Sequence, residues 1–145
     1  MMPRSFSPSD QDTHAVRVLL IDDSEPVRRE LRQLLELSGV IQVVGEARDG
    51  QQGILLAAEL TPDVVIMDLE MPGMDGFEAT RRIKAQVHTP RIVILSMHAG
   101  SENMARARSA GADEFIVKGA DFQVLIHTIL GQDGTFKSNE EGEES

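Results

Sequence analysis

The reactive side chains of this sequence stand at the ends of apolar runs. VVIM (64–67) runs straight into Asp68, with Glu70 two residues on, and VRVLLI (16–21) runs into Asp22 and Asp23. IVIL (92–95) is followed by Ser96, and FIV (115–117) by Lys118. A charge at the mouth of an apolar run is costly unless it is solvated, paired or bound to a cation. Three carboxylates gathered in one place would repel one another and invite a hard divalent cation. Mg²⁺ suits them, because it takes octahedral oxygen coordination with few protein ligands and several waters. Asp22 and Asp23 can supply oxygens directly or through water, and Asp68 can supply one. The second Asp68 oxygen is then free to act as a nucleophile, as carboxylates that form acyl-phosphates do. The cation, the Lys118 amine and the Ser96 hydroxyl could neutralise phosphoryl oxygens during transfer.

Each residue also has a plainer reading. An Asp-Asp pair before a helix commonly serves as a cap, Ser96 alone is an ordinary strand-end hydroxyl, and Lys118 alone is a solvated cation. Asp75 is expected to cap the helix that starts near Phe77, and Pro72, Gly73 and Gly76 read as turn formers. The joint placement favours chemistry. Capping does not call for a Lys after the fifth apolar run and an acid after the third.

The elements that must position these residues are legible in the patterning. Five apolar runs, 16–21, 41–47, 64–67, 92–95 and 115–117, alternate with helical patterns. Ser24 can cap the first helix, with Glu25 in its first turn. Leu31, Leu34 and Leu35 lie on one face of that helix, which ends around Ser38-Gly39. GQQGILLAAEL (50–60) predicts a second helix weakened by Gly53 and ended by Thr61-Pro62. A third runs from about Phe77 to Ala85, and a fourth from near Ser101 to Gly111. Phe122, Leu125, Ile126 and Ile129 give the last an amphipathic stripe. Strands 1, 3, 4 and 5 are nearly continuous apolar runs, as in a parallel sheet covered on both faces. Regular βα alternation with short connections predicts a doubly wound α/β fold. Its functional cleft lies at the carboxyl ends of the strands, where Asp22, Asp23, Asp68, Ser96 and Lys118 fall. Asp68 is therefore expected to open into a cleft rather than to sit in the core.

The chain is long enough for one domain with a real core, at 145 residues. It contains no cysteine, which excludes disulfides and thiolate metal sites. Residues 1–14 predict a loose arm and residues 131–145 a disordered acidic tail, leaving 15–130 as the ordered domain. No signal peptide or membrane-spanning run is found, so a cytoplasmic protein with no membrane partner is expected. The net charge of -10 and the absence of Trp and Tyr argue against direct nucleic-acid binding.

The motifs IDDSEPVR, VVIMDLEMPGMDGFE, ILSMHAG and GADEFIVKGA, in that order, resemble the receiver domain of bacterial two-component response regulators. The resemblance covers roughly residues 15–130. It implies a flavodoxin-like fold, like that of the chemotaxis receiver, with five parallel strands in the order 2-1-3-4-5. By this resemblance Asp22 and Asp23 form the metal-binding acidic pair and Asp68 is the phosphoacceptor, with Mg²⁺ as cofactor. Ser96 becomes the switch hydroxyl, Phe115 the switch aromatic and Lys118 the phosphate-contacting lysine. The backbone carbonyl of Glu70 would be a further metal ligand. Glu70 and His98 would flank the entrance to the site and tune the lifetime of the phosphoryl group. The implied partners are a sensor histidine kinase or phosphotransfer protein, and downstream a protein partner or an effector domain. A homodimer on phosphorylation also fits. The domain would accept and slowly lose its own phosphoryl group without being a classified enzyme.

The MPGMDG turn and the SMH segment look most like the NarL-type branch, whose members usually carry a C-terminal helix-turn-helix. Only the short acidic tail follows the last helix here, so either a stand-alone receiver or a shortened regulator is expected. Gly119 follows Lys118 where many receivers carry proline, which makes the cis peptide often found there doubtful. Three other readings remain beside this one. A Mg²⁺-dependent Toprim-like hydrolase or nuclease would use Asp68 and Glu70 as a metal pair but has no use for Lys118 or Ser96. An FMN carrier conflicts with the acidic loop after the first strand. A degenerate receiver would serve only for docking.

Overall fold

The computed structural model describes residues 15–131. The arm 1–14 and the tail beyond Gly131 lie outside the described residues. Five strands, β1 (Val16–Ile21), β2 (Ile41–Ala47), β3 (Val64–Met67), β4 (Arg91–Ser96) and β5 (Glu114–Val117), alternate with five helices. The helices are α1 (Glu25–Leu37), α2 (Gly50–Leu60), α3 (Gly76–Lys84), α4 (Ser101–Ala110) and α5 (Phe122–Ile129). The sheet order is β2-β1-β3-β4-β5, and every neighbouring pair is parallel. The doubly wound arrangement is the one expected from the alternation of strands and helices, and its flavodoxin-like strand order is the one the receiver resemblance implies.

Side chains alternate between two cores, one on each face of the sheet. Val18, Leu20, Val64, Ile66, Val93, Leu95 and Ile116 pack against Leu35 of α1 and Leu125, Ile126 and Ile129 of α5. Leu19, Ile21, Val65, Met67, Ile92, Ile94 and Phe115 pack on the opposite face against α2, α3 and α4. Full burial of each large aliphatic contributes about 1.5–3 kcal/mol, so the central strands form a stiff floor. The α4 helix is held differently. Only Ala107 and Ala110 are fully buried from it, with Met104 partly covered.

Local chemistry sets the boundaries. Ser24 caps α1 by accepting from the Val27 N–H, and Asp49 and Asp75 cap α2 and α3 in the same manner. Gly100 opens α4 with no side-chain cap at all. Gly53 does not merely weaken α2: a Cβ there would lie 2.5 Å from Ile21 Cδ1, so the glycine lets the helix close on β1. The β4 strand is longer than its apolar run, because its backbone pairs with β5 as far as Ser96.

Candidate active site at the carboxyl edge of the sheet

Asp22, Asp68, Ser96 and Lys118 stand at or just beyond strand ends where the backbone is still paired. Asp22 N–H donates to Ala47 O at 3.0 Å, Asp68 N–H to Ile21 O at 2.9 Å, and Lys118 N–H to Ser96 O at 2.7 Å. The ladder of the sheet thus fixes the origins of four side chains before any of them makes a contact. Asp22, Asp23 and Asp68 each place a carboxylate oxygen within 4.8 Å of the others. Lys118 Nζ reaches into this cluster, 3.2 Å from Asp22 Oδ2 and 3.4 Å from Asp68 Oδ1.

Asp68 is more enclosed than the sequence suggests. It is only 3 % exposed and Asp22 only 4 %, whereas Asp23 faces solvent. Pairing with Lys118 meets only part of the cost of its charge, and solvation meets little of it. Burial pushes the Asp68 carboxyl up to about 6, helped by the negative charge of Asp22. The Lys118 charge and hydrogen bond and the Glu70 N–H pull the other way without cancelling it. For Lys118, burial lowers the pKa, but the Asp22 and Asp68 carboxylates outweigh it and hold the amine above its ordinary value.

The second half of the site surrounds Ser96, which is fully buried. Its hydroxyl donates to Glu70 Oε2 at 3.1 Å and accepts from the His98 N–H at 3.1 Å. The Glu70 N–H also approaches Asp68 Oδ1 at 3.4 Å, which puts its main chain beside the carboxylate cluster. The Glu70 side chain is exposed, and its carboxylate is engaged with Ser96. His98 is exposed, and its carbonyl accepts from Asn103 Nδ2 of α4 at 3.1 Å. Phe115 is 1 % exposed, packed within the core on the α2-α3-α4 face. The Lys118–Gly119 peptide is trans, and Gly119 takes φ +95°, a left-handed conformation that favours glycine.

Two supporting residues escaped sequence reasoning. Gly76 is not a turn former but the first residue of α3, and a Cβ on it would sit 2.4 Å from the Asp68 carbonyl oxygen. The glycine lets α3 start against the backbone of the Asp68 loop. Arg28 donates to the Asp22 carbonyl at 2.6 Å and pairs with Glu46 of β2 at 3.0 Å, clamping α1 over the acidic pocket. Nothing in the sequence separates Arg28 from Arg29, which makes an exposed pair with Glu25.

Buried carboxylates facing one lysine at the mouth of a doubly wound sheet define a phosphoacceptor-type pocket in an α/β signalling fold. The family model described as the response regulator receiver domain matches residues 18–130. The chain belongs to this family, the phosphoacceptor modules of two-component systems. It is 46% identical over 103 residues to the transcriptional regulatory protein LiaR of Bacillus subtilis, covering 71% of this chain and 49% of that protein. It is 38% identical over 112 residues to the nitrate/nitrite response regulator NarL of Escherichia coli, covering 77% of this chain and 52% of that one. A solved two-component response regulator of the LuxR family from Aurantimonas sp. SI85-9A1 superposes with a TM-score of 0.77 at 36% identity. That match covers 90% of this chain and 97% of the other. The likeness to the NarL-type branch read from the MPGMDG and SMH segments agrees with these relatives. The chain spans about half the length of the two regulators.

The three-aspartate oxygen set fits a hard divalent cation such as Mg²⁺. All donors are carboxylate oxygens, two of them are buried, and the single amine present leaves net negative charge in the pocket. No described helix is long and apolar enough to cross a membrane.

Proposed function

We propose that Asp68 is the phosphoacceptor and that its modification switches the α4–β5–α5 face of this domain. The observation that carries the reading is the Lys118 amine bridging Asp22 and Asp68 from 96 and 50 residues away. In the reaction an Asp68 oxygen attacks the phosphorus of a phosphohistidine on a sensor kinase or phosphotransfer protein. The P–N bond breaks, the electron pair leaves with the imidazole, and an acyl-phosphate forms on Asp68. Lys118 stands where it can pair with the incoming phosphoryl oxygens, and the Ser96 hydroxyl can donate to them once released from Glu70. Asp22, Asp23, Asp68 and the main chain of Glu70 would hold Mg²⁺, which when bound supplies charge neutralisation to the phosphoryl oxygens. Phosphorylation then acts as a population shift: Ser96 moves toward the phosphoryl group and Phe115 fills the space it leaves. The chain is not itself a classified enzyme in this reading. The ordered module is residues 15–130, acting in the cytoplasm.

The output partner is either a downstream protein or an effector domain, as in the longer regulators it resembles. Modified copies pairing through the switched face form the homodimer. Labelling by acetyl phosphate with and without Mg²⁺, read by intact-mass spectrometry, tests the assignment. One phosphoryl group is expected on the parent and none on Asp68→Asn. Stoichiometric labelling of Asp68→Asn would overturn it. The docking-only alternative predicts no label on either protein, and a Toprim-like hydrolase predicts cleavage of nucleic acid without a stable adduct.

A further inference from the structure

We infer that Glu70 is a positioning residue that holds Ser96 away from the phosphorylation site and so sets the resting position of the switch. The inference rests on the reading of Asp68 as phosphoacceptor. A serine hydroxyl has one proton to donate. Here that proton faces the Glu70 carboxylate, with Oε2 at 3.1 Å and Oε1 at 3.5 Å. One acceptor position of the same oxygen is taken by the His98 N–H at 3.1 Å. Ser96 is completely buried while Glu70 is exposed, so water reaches the carboxylate but not the serine oxygen. The His98 carbonyl at 3.5 Å is the other acceptor near it.

A phosphoryl group on Asp68 would need the same proton for one of its oxygens. Glu70 and the phosphoryl group are therefore alternative acceptors for one donor, and both cannot be satisfied at once. A hydrogen bond to a charged acceptor is among the stronger kinds, so its loss is a real cost of switching. Phosphorylation also adds negative charge beside Glu70, whose N–H lies 3.4 Å from Asp68 Oδ1. That charge repels the carboxylate and helps to release the serine. The His98 carbonyl, on the same turn, accepts from Asn103 of α4. Movement of Ser96 thus pulls on the turn that anchors the start of the loosely packed α4.

The test titrates beryllofluoride, a phosphoryl analogue, in Mg²⁺ against the parent, Glu70→Ala, Glu70→Gln, Ser96→Ala and the double variant Glu70→Ala/Ser96→Ala. Amide spectra of the free proteins are recorded alongside. Glu70→Ala is expected to bind beryllofluoride about fivefold more tightly, the size of one hydrogen bond released. Glu70→Gln, which keeps an acceptor oxygen, should stay closer to the parent than to the Ala variant. In the Ser96→Ala background the further change of Glu70 to Ala should have no effect. The His98 amide should shift in Glu70→Ala before any analogue is added. A gain that is equal for Gln and Ala, or that survives without Ser96, would assign the effect to charge alone and overturn the inference. Failure of the parent to bind beryllofluoride would sink the Asp68 reading instead. The coupling between Glu70 and Ser96 would then be judged by the His98 amide: a shift upholds it, and an unmoved resonance overturns it.

Discussion

At the scale of single residues the site is built around a conflict that the proposed function requires. Asp68 must be charged to act as a nucleophile, yet burial and Asp22 raise its pKa from 3.8 to about 6. In the metal-free protein the folded state therefore binds more protons than the unfolded chain between these values. Stability falls as pH rises through that window, and the penalty is fully present above pH 6 and absent below about pH 4. Asp68→Asn should stabilise the protein in EDTA at pH 7 by about 1–3 kcal/mol, the upper value being the whole shift converted. Its advantage should vanish near pH 4. Urea melts of the two proteins across pH 4–7 check this, and parallel curves would contradict it. Lys118 carries the opposite sign. Lys118→Met leaves Asp22 and Asp68 facing each other with backbone N–H donors but no cation between them, which should cost about 3 kcal/mol in EDTA. The same change should raise Mg²⁺ affinity severalfold, because a resident positive charge is removed. Calorimetric titration reads that affinity, and weaker Mg²⁺ binding in the variant would refute the role given to Lys118.

At the scale of elements the question is how helices reach the site without obstructing it. Intrinsic propensity favours Ala over Gly in a helix by about 1 kcal/mol, so Gly76→Ala would be stabilising if Gly76 were simply a helix residue. Its Cβ would meet the Asp68 carbonyl oxygen at 2.4 Å and Leu69 Cα at 2.8 Å, both backbone atoms that cannot turn aside. The variant should lose about 1–3 kcal/mol and be labelled at Asp68 at least tenfold more slowly. Thermal melts and labelling time courses decide, and a variant matching the parent in both would show that the loop has room. Gly73 offers the contrast. It sits at φ +78° with open space around it, so Gly73→Ala costs backbone strain of about 1 kcal/mol while leaving the carboxylate in place.

On the scale of the whole molecule, stability is unevenly distributed, and the uneven part coincides with the face proposed to switch. The central strands are buried from both sides, and Arg28, Arg32 and Glu46 tie α1 to β2. By contrast α4 has no side-chain cap and buries only two alanines fully. It is fastened by Met104, by the Arg106 guanidinium stacked 4.0 Å from the Phe77 ring centre, and by Asn103 on the His98 carbonyl. Amide hydrogen exchange should therefore be fastest among the helices in α4. Beryllofluoride should alter exchange at residues 97–124 while leaving β1 and α2 unchanged. Uniform protection across the domain would mean simple ligand stabilisation without a switch.

Much of this was legible in the sequence because parallel strands buried on both faces must be continuously apolar. The boundaries of β1, β2, β3 and α2 follow the runs VRVLLI, IQVVGEA, VVIM and GQQGILLAAEL residue for residue. Residues that end such runs must emerge at one edge of the sheet, so the patterning alone brings Asp22, Asp23, Asp68, Ser96 and Lys118 together. Distances and burial were decided only by the tertiary structure, because they depend on the register between strands far apart in sequence and on side-chain direction. The closure of the pocket over Asp68, the hydroxyl of Ser96 turned to Glu70 rather than to Asp68, and the grip of Arg28 on Asp22 all arise in this way. Gly76 shows the limit most directly. As a residue type it signals a turn, and only the approach of two backbones within the folded domain makes it a requirement of the site.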